Sequence, residues 1–163
     1  MMRKAIPALL LVLLSGTGCR EHVVDPCTDL FAPYPDLVSE RFRTNGNSAF
    51  LDAMAHYSAG EYARAAEGLL PVVQREPLNG LARLYLAVSL LADGRPYEAE
   101  MHLDGLEKPQ FVQFASEVDH YNMLCWACSG QMDRAREAAQ RILDKPRHKY
   151  KAEARALLTS AAL

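Results

Sequence analysis

The sequence predicts an all-α fold, a short α-solenoid of about three helix-turn-helix units closed by a C-terminal capping helix. Three observations lead there. The segments "AGEYARAA" (residues 59–66), "DGRPYEAE" (93–100) and "SGQMDRAR" (129–136) align, and their glycine and alanine columns recur at spacings of 34 and then 36 residues. Further columns hold small or aliphatic residues in every unit: Ala53, Ala87 and Met123; Leu69, Leu103 and Ala139; Val72, Leu106 and Ile142. Finally, Leu81, Leu84, Tyr85, Val88 and Leu91 form the i, i+3, i+4, i+7 stripe of an amphipathic helix.

The elements follow in chain order. Arg3 and Lys4 precede an apolar run at residues 5–14, then small residues at 15–18 and Cys19. This is a charged n-region, an h-region and a cleavage zone. The apolar run would rise about 15 Å as a helix, half of a bilayer core, so it is not read as a membrane span. With a cysteine at the cut, the segment resembles a bacterial lipoprotein signal. That resemblance implies removal of residues 1–18 and acylation of Cys19. Arg20 follows, where aspartate would signal retention at the inner membrane, so the expected location is the outer membrane, on its periplasmic face rather than the surface. Residues 19–42 read as an N-terminal arm and residues 43–163 as the helical domain.

Within that domain Gly60, Gly94 and Gly130 end the first helix of each unit, where a left-handed residue is wanted. Arg64, Glu98 and Arg134 share one column, as a solvated face should. Pro77 with Asn79-Gly80, Pro109 and Pro146 are expected to stop the second helices. Two extra residues in the second joint account for the longer spacing. Pro71 lies inside the first second-helix and is expected to kink it. Tyr150, Ala154, Leu157, Leu158 and Ala161 form the stripe of the capping helix.

A 34-residue helix-turn-helix period resembles that of the tetratricopeptide repeat. With "DLFAPYPDLV" (residues 29–38), Arg43 and "FLDAMAHYSAGEYARAAEGL" (50–69), the chain resembles small tetratricopeptide-repeat membrane proteins and lipoproteins of Bacteroidota. The resemblance implies an envelope location and protein interaction, with no shared reaction. It also implies which first-helix residues face the concave side. In the first unit these are Asn47, Phe50, Met54, Tyr57 and Ser58. In the second they are Leu81, Leu84, Val88, Leu91 and Ala92, and in the third Glu117, His120, Leu124, Ala127 and Cys128. No lysine stands among them, so a carboxylate clamp is not expected. The face is apolar, suited to an adaptable peptide groove or, equally, to core covered by the chain's own arm.

The arm invites the second reading. Leu30, Phe31, Tyr34, Leu37 and Val38 carry too much apolar surface for a free tether, and Pro33 and Pro35 favour an extended course. Residues 27–38 are therefore expected on the repeats, near Phe50, Tyr57, Leu84 and Leu91. A Cys27–Cys128 disulfide is left open.

Cys125-Trp126-Ala127-Cys128 is the one cluster that suggests chemistry. A thiol pair, half a metal site with His120 and Cys27, and plain packing are all open. The repeat alignment favours packing, because Cys125 falls in the column of Ala55 and Ser89, and Cys128 in that of Ser58 and Ala92. Cysteines three apart on a helix stand roughly 5–6 Å apart at Cβ, too far for an easy disulfide. Trp126 falls in the column of His56 and Leu90, where aromatic packing residues are common. His22, His56, His102, His120 and His148 are scattered, no phosphate-cradling loop is present, and no nucleophile has a base set beside it. Neither an enzyme, a metal nor a cofactor is expected. Loss of residues 1–18 would leave 16 basic against 20 acidic side chains with no basic block, which argues against nucleic acid.

Three functions remain in view. One is a lipid-anchored scaffold that binds a partner protein or peptide through the repeat groove. A thiol-active accessory protein using Cys125 and Cys128 is another. The third is a structural subunit of an envelope assembly complex.

Overall fold

A computed structural model describes residues 25–160. Signal residues 1–18, Cys19 and Ala161 lie outside the described residues. Within them the chain is all-helical: α1 (Pro26–Asp29), α2 (Ser48–Ser58), α3 (Tyr62–Arg75), α4 (Gly80–Ala92), α5 (Pro96–Asp104), a 3-10 segment (Pro109–Phe114), α6 (Ala115–Cys128), α7 (Met132–Asp144) and α8 (Lys151–Ser160). No strand occurs among the described residues.

From α2 onward each helix packs against the next, and α2 also touches α4. Short turns make this possible. Gly60, Gly94 and Gly130 have φ of 74°, 75° and 77°, so the chain reverses within three residues after α2, α4 and α6. Two helices that touch and are joined by so short a link must run antiparallel. The small columns let them approach closely. A Cβ built on Gly68 of α3 would stand 2.8 Å from Cβ of Ala53 on α2.

The middle of the stack is the driest part. On α4, Leu84, Tyr85, Leu86, Ala87, Val88, Ser89, Leu90 and Leu91 are all buried, since this helix has neighbours on both sides. On α3 and α7 only one face is buried, and Arg64 and Arg134 lie on the exposed one, as does Glu98 on α5. Ala154 and Leu157 of α8 are buried, and α8 packs on α7.

One proline sits inside a helix, as expected, and one joint differs from expectation. The helix α3 runs through Pro71 to Arg75. Pro71 is exposed, so water can take the carbonyl that loses its helical donor. And α5 ends at Asp104, well before Pro109, which instead opens the 3-10 segment. Phe111 and Phe114 of that segment press on Gly80, where an added Cβ would meet their rings at 2.7 and 2.8 Å.

Candidate peptide-binding groove

The first helices α2, α4 and α6 present one apolar face, built from successive turns of α2 and α4 and from α6. Phe50, Met54 and Tyr57 come from α2, Leu84, Val88 and Leu91 from α4, and Leu124 from α6; all are buried in the common core. Glu117 and His120 on α6 are buried too, at 2 % and 1 % exposure. Asn47 takes a different role. It is half-buried before α2, where its Oδ1 accepts from the Thr44 N–H at 2.7 Å and its Nδ2 donates to the Phe42 carbonyl at 2.9 Å. It therefore holds the turn that leads into α2.

The arm lies along this face. Leu30, Phe31 and Tyr34 pack against the core and Val38 is 1 % exposed. Three tyrosine hydroxyls hold its backbone. Tyr121 Oη donates to the Ala32 carbonyl at 2.9 Å, Tyr57 Oη to the Tyr34 carbonyl at 2.7 Å, and Tyr85 Oη to the Pro35 carbonyl at 2.8 Å. Tyr85 Oη also accepts the Leu37 N–H at 2.8 Å. Burial raises the pKa of all three phenols, that of Tyr85 to about 12, so they remain donors at neutral pH. The Tyr34 ring lies 5.7 Å from that of Tyr85, and Phe31 meets Tyr62 edge-on at 6.4 Å.

Beyond the prolines the chain turns on Asp36. Its carboxylate accepts from the Val38 and Ser39 N–H groups and from the hydroxyls of Ser39 and Ser58. Partial burial pushes this carboxyl up, but the hydrogen bonds outweigh it and bring the group down to about 2. At the other end of the face Glu117 accepts from Lys149 Nζ at 2.6 Å, and the His120 ring stacks on Tyr150 at 4.0 Å. Burial, then nearby His148, holds His120 down at about 3, so it is neutral.

The cysteines divide. Cys128, at the end of α6, is bonded to Cys27 of α1, with Cα atoms 5.4 Å apart. Cys125 is free and buried, and burial, followed by Glu100 and Asp104, pushes its thiol up to about 12. Only Cys125 is therefore a packing residue; Cys128 fastens the arm. Trp126 is half-buried, its Nε1–H donating to Glu100 at 2.7 Å while Arg134 lies 4.4 Å above its ring. Among the described residues no group of three or more His, Cys, Asp or Glu is placed to hold a metal ion.

Tyr85 and Tyr121 hold the arm, and the periodicity alone does not single them out. Both lie among core positions, and Tyr85 belongs to the apolar stripe of α4. Their signal is a shared column, 36 residues apart, that puts a hydroxyl on the same side of two successive first helices. Comparison with protein-family models, with curated proteins and with solved structures gives no match.

Proposed function

We propose that this chain is a lipid-anchored adaptor of the bacterial envelope, a solenoid of tetratricopeptide type that binds a partner protein through the face of α2, α4 and α6. One observation carries the reading. That face already holds an extended polypeptide, gripping its backbone through the hydroxyls of Tyr57, Tyr85 and Tyr121. Backbone hydrogen bonds supply affinity and side-chain pockets supply selectivity, which is how grooves recognise extended peptides. The repeat spacing and the three glycine turns support the solenoid type. The export signal and Cys19 support the anchor. Nothing supports a working Cys125/Cys128 dithiol, since Cys128 is bonded elsewhere and Cys125 is enclosed.

The test is photocrosslinking of the full chain in its own envelope. A photoreactive residue replaces Leu37, half exposed on the roof of the face, or Met101, exposed on α5, a helix that contributes nothing to it. One partner captured from position 37 and absent from 101 is the expected result. Capture from 101 alone would move the interaction surface elsewhere. The anchor is read separately, by mass spectrometry of the mature N-terminus, where a diacylated Cys19 is expected.

A further inference from the structure

We propose that the face of α2, α4 and α6 is a binding site for an extended proline-aromatic-proline segment with an acidic residue after it. The Cys27–Cys128 bond decides whether such a segment can enter. This rests on the adaptor reading and names both its ligand class and its control.

The ligand class is read from the occupant. Residues 32–38 are Ala-Pro-Tyr-Pro-Asp-Leu-Val. Prolines keep the chain extended before it binds, so little conformational entropy is lost on seating. They also carry no N–H, and the protein offers this stretch hydroxyl donors, three of them, to the carbonyls of residues 32, 34 and 35. The face reads alternate side chains, as an extended chain requires. Tyr34 packs on Tyr85, Asp36 takes the Ser58 hydroxyl, and Val38 is buried. A segment of the same pattern from another protein would meet the same donors and the same pockets.

The resident arm stands in its way because both of its ends are fixed. One runs on through the chain into α2; the other is bonded to Cys128. Opening the disulfide frees the second end and lets the arm peel off. Neither cysteine is enclosed: both are half-buried, and Cys128 borders an open cleft lined by Gly94, Arg95, Tyr97, Glu98 and Ser129. The reductant is a protein dithiol. One of its thiolates attacks a sulfur of the pair to form a mixed disulfide, and its second thiol displaces the protein sulfur. Two electrons and two protons pass to Cys27 and Cys128, and the reductant leaves as a disulfide. Cys125 does not intercept the mixed disulfide, since it is buried one turn away with its thiol held protonated.

Two measurements on the full chain test this. Hydrogen exchange reads the latch. On reduction, residues 30–38 are expected to exchange at least about tenfold faster while α4 keeps its protection. Fluorescence anisotropy reads the site, with a labelled synthetic peptide copying residues 32–38. The freed arm stays tethered and competes at roughly millimolar effective concentration, so the peptide is added to the Tyr34→Ala variant, whose own arm is weakened. Reduced Tyr34→Ala protein should bind it about tenfold or more tighter than the oxidised form, and a peptide with alanine for tyrosine should bind about tenfold weaker. Unchanged exchange on reduction overturns the latch. Loss of α4 protection overturns it too, by making the bond a structural staple. Released arm with intact helices but no peptide binding overturns the ligand class; the adaptor reading would then be judged by crosslinking alone.

Discussion

Tyr85 does the most of any single side chain at the arm, because its hydroxyl both donates to Pro35 and accepts from Leu37. Tyr121 makes one such bond, to Ala32. Each net hydrogen bond contributes about 0.5–1.5 kcal/mol. Tyr121→Phe is therefore expected to cost about 1 kcal/mol in urea denaturation and Tyr85→Phe about twice that. Equal costs would mean that the Leu37 bond contributes nothing. The cysteines make a second test at this scale. Alkylation of the native oxidised protein should modify none of Cys27, Cys125 and Cys128, and mild reduction should expose Cys27 and Cys128 alone. Cys125 stays shielded because it is buried and its thiol is held protonated. The pairing was not legible from the motif itself. Cys125 and Cys128 are neighbours in sequence, whereas the bonded partner lies 101 residues away and is brought there by the arm.

Helices were the most legible level, since each depends on residues close in sequence. A glycine at the left-handed position and an alanine at each close approach recur with the repeat, and the helices follow them. Where long-range packing intervenes, the reading fails. Nothing between residues 105 and 114 announces a 3-10 segment; it forms because Phe111 and Phe114 find Gly80 on another helix. The close approaches give testable magnitudes. Gly68→Ala places a Cβ 2.8 Å from Cβ and 3.3 Å from Cα of Ala53. Overpacking of this kind costs about 1–3 kcal/mol, against a helix-propensity gain of about 1. Net destabilisation is expected, and a stabilised variant would show that α2 and α3 can separate freely. Leu103→Ala, in the fully buried column of α5, should cost about 2–5 kcal/mol. Arg64→Ala should stay within about 0.5 of wild type, because its bond to Glu61 is exposed.

Across the whole molecule the arm ties α6 to the start of the stack, running from Cys128 past Tyr85 to the start of α2. Its apolar content and prolines were legible as a segment that had to dock. The hydroxyls that receive it were not, since a tyrosine in a core column reads the same whether or not its oxygen has a distant partner. The same burial makes the molecule acid-sensitive. His120 is 1 % exposed, stacked on Tyr150 and edge-on to Tyr121, with His148, which is bonded to Asp119, nearby. Its folded pKa, about 3, lies below the ordinary histidine value near 6.5. The unfolded chain therefore binds a proton that the folded one refuses, and stability falls as pH drops from about 6.5 toward 3, at up to about 1.4 kcal/mol per pH unit. His102, lowered by burial and then by Arg83, adds to the same trend, and Asp36 adds its loss only below about pH 4. His120→Phe keeps a ring against Tyr150 and removes the titration. Denaturation of the two proteins at pH 7, 5.5 and 4.5 should show the variant losing distinctly less stability than wild type on acidification, with His102 and Asp36 common to both. Parallel pH profiles would mean that His120 takes up its proton without leaving the core.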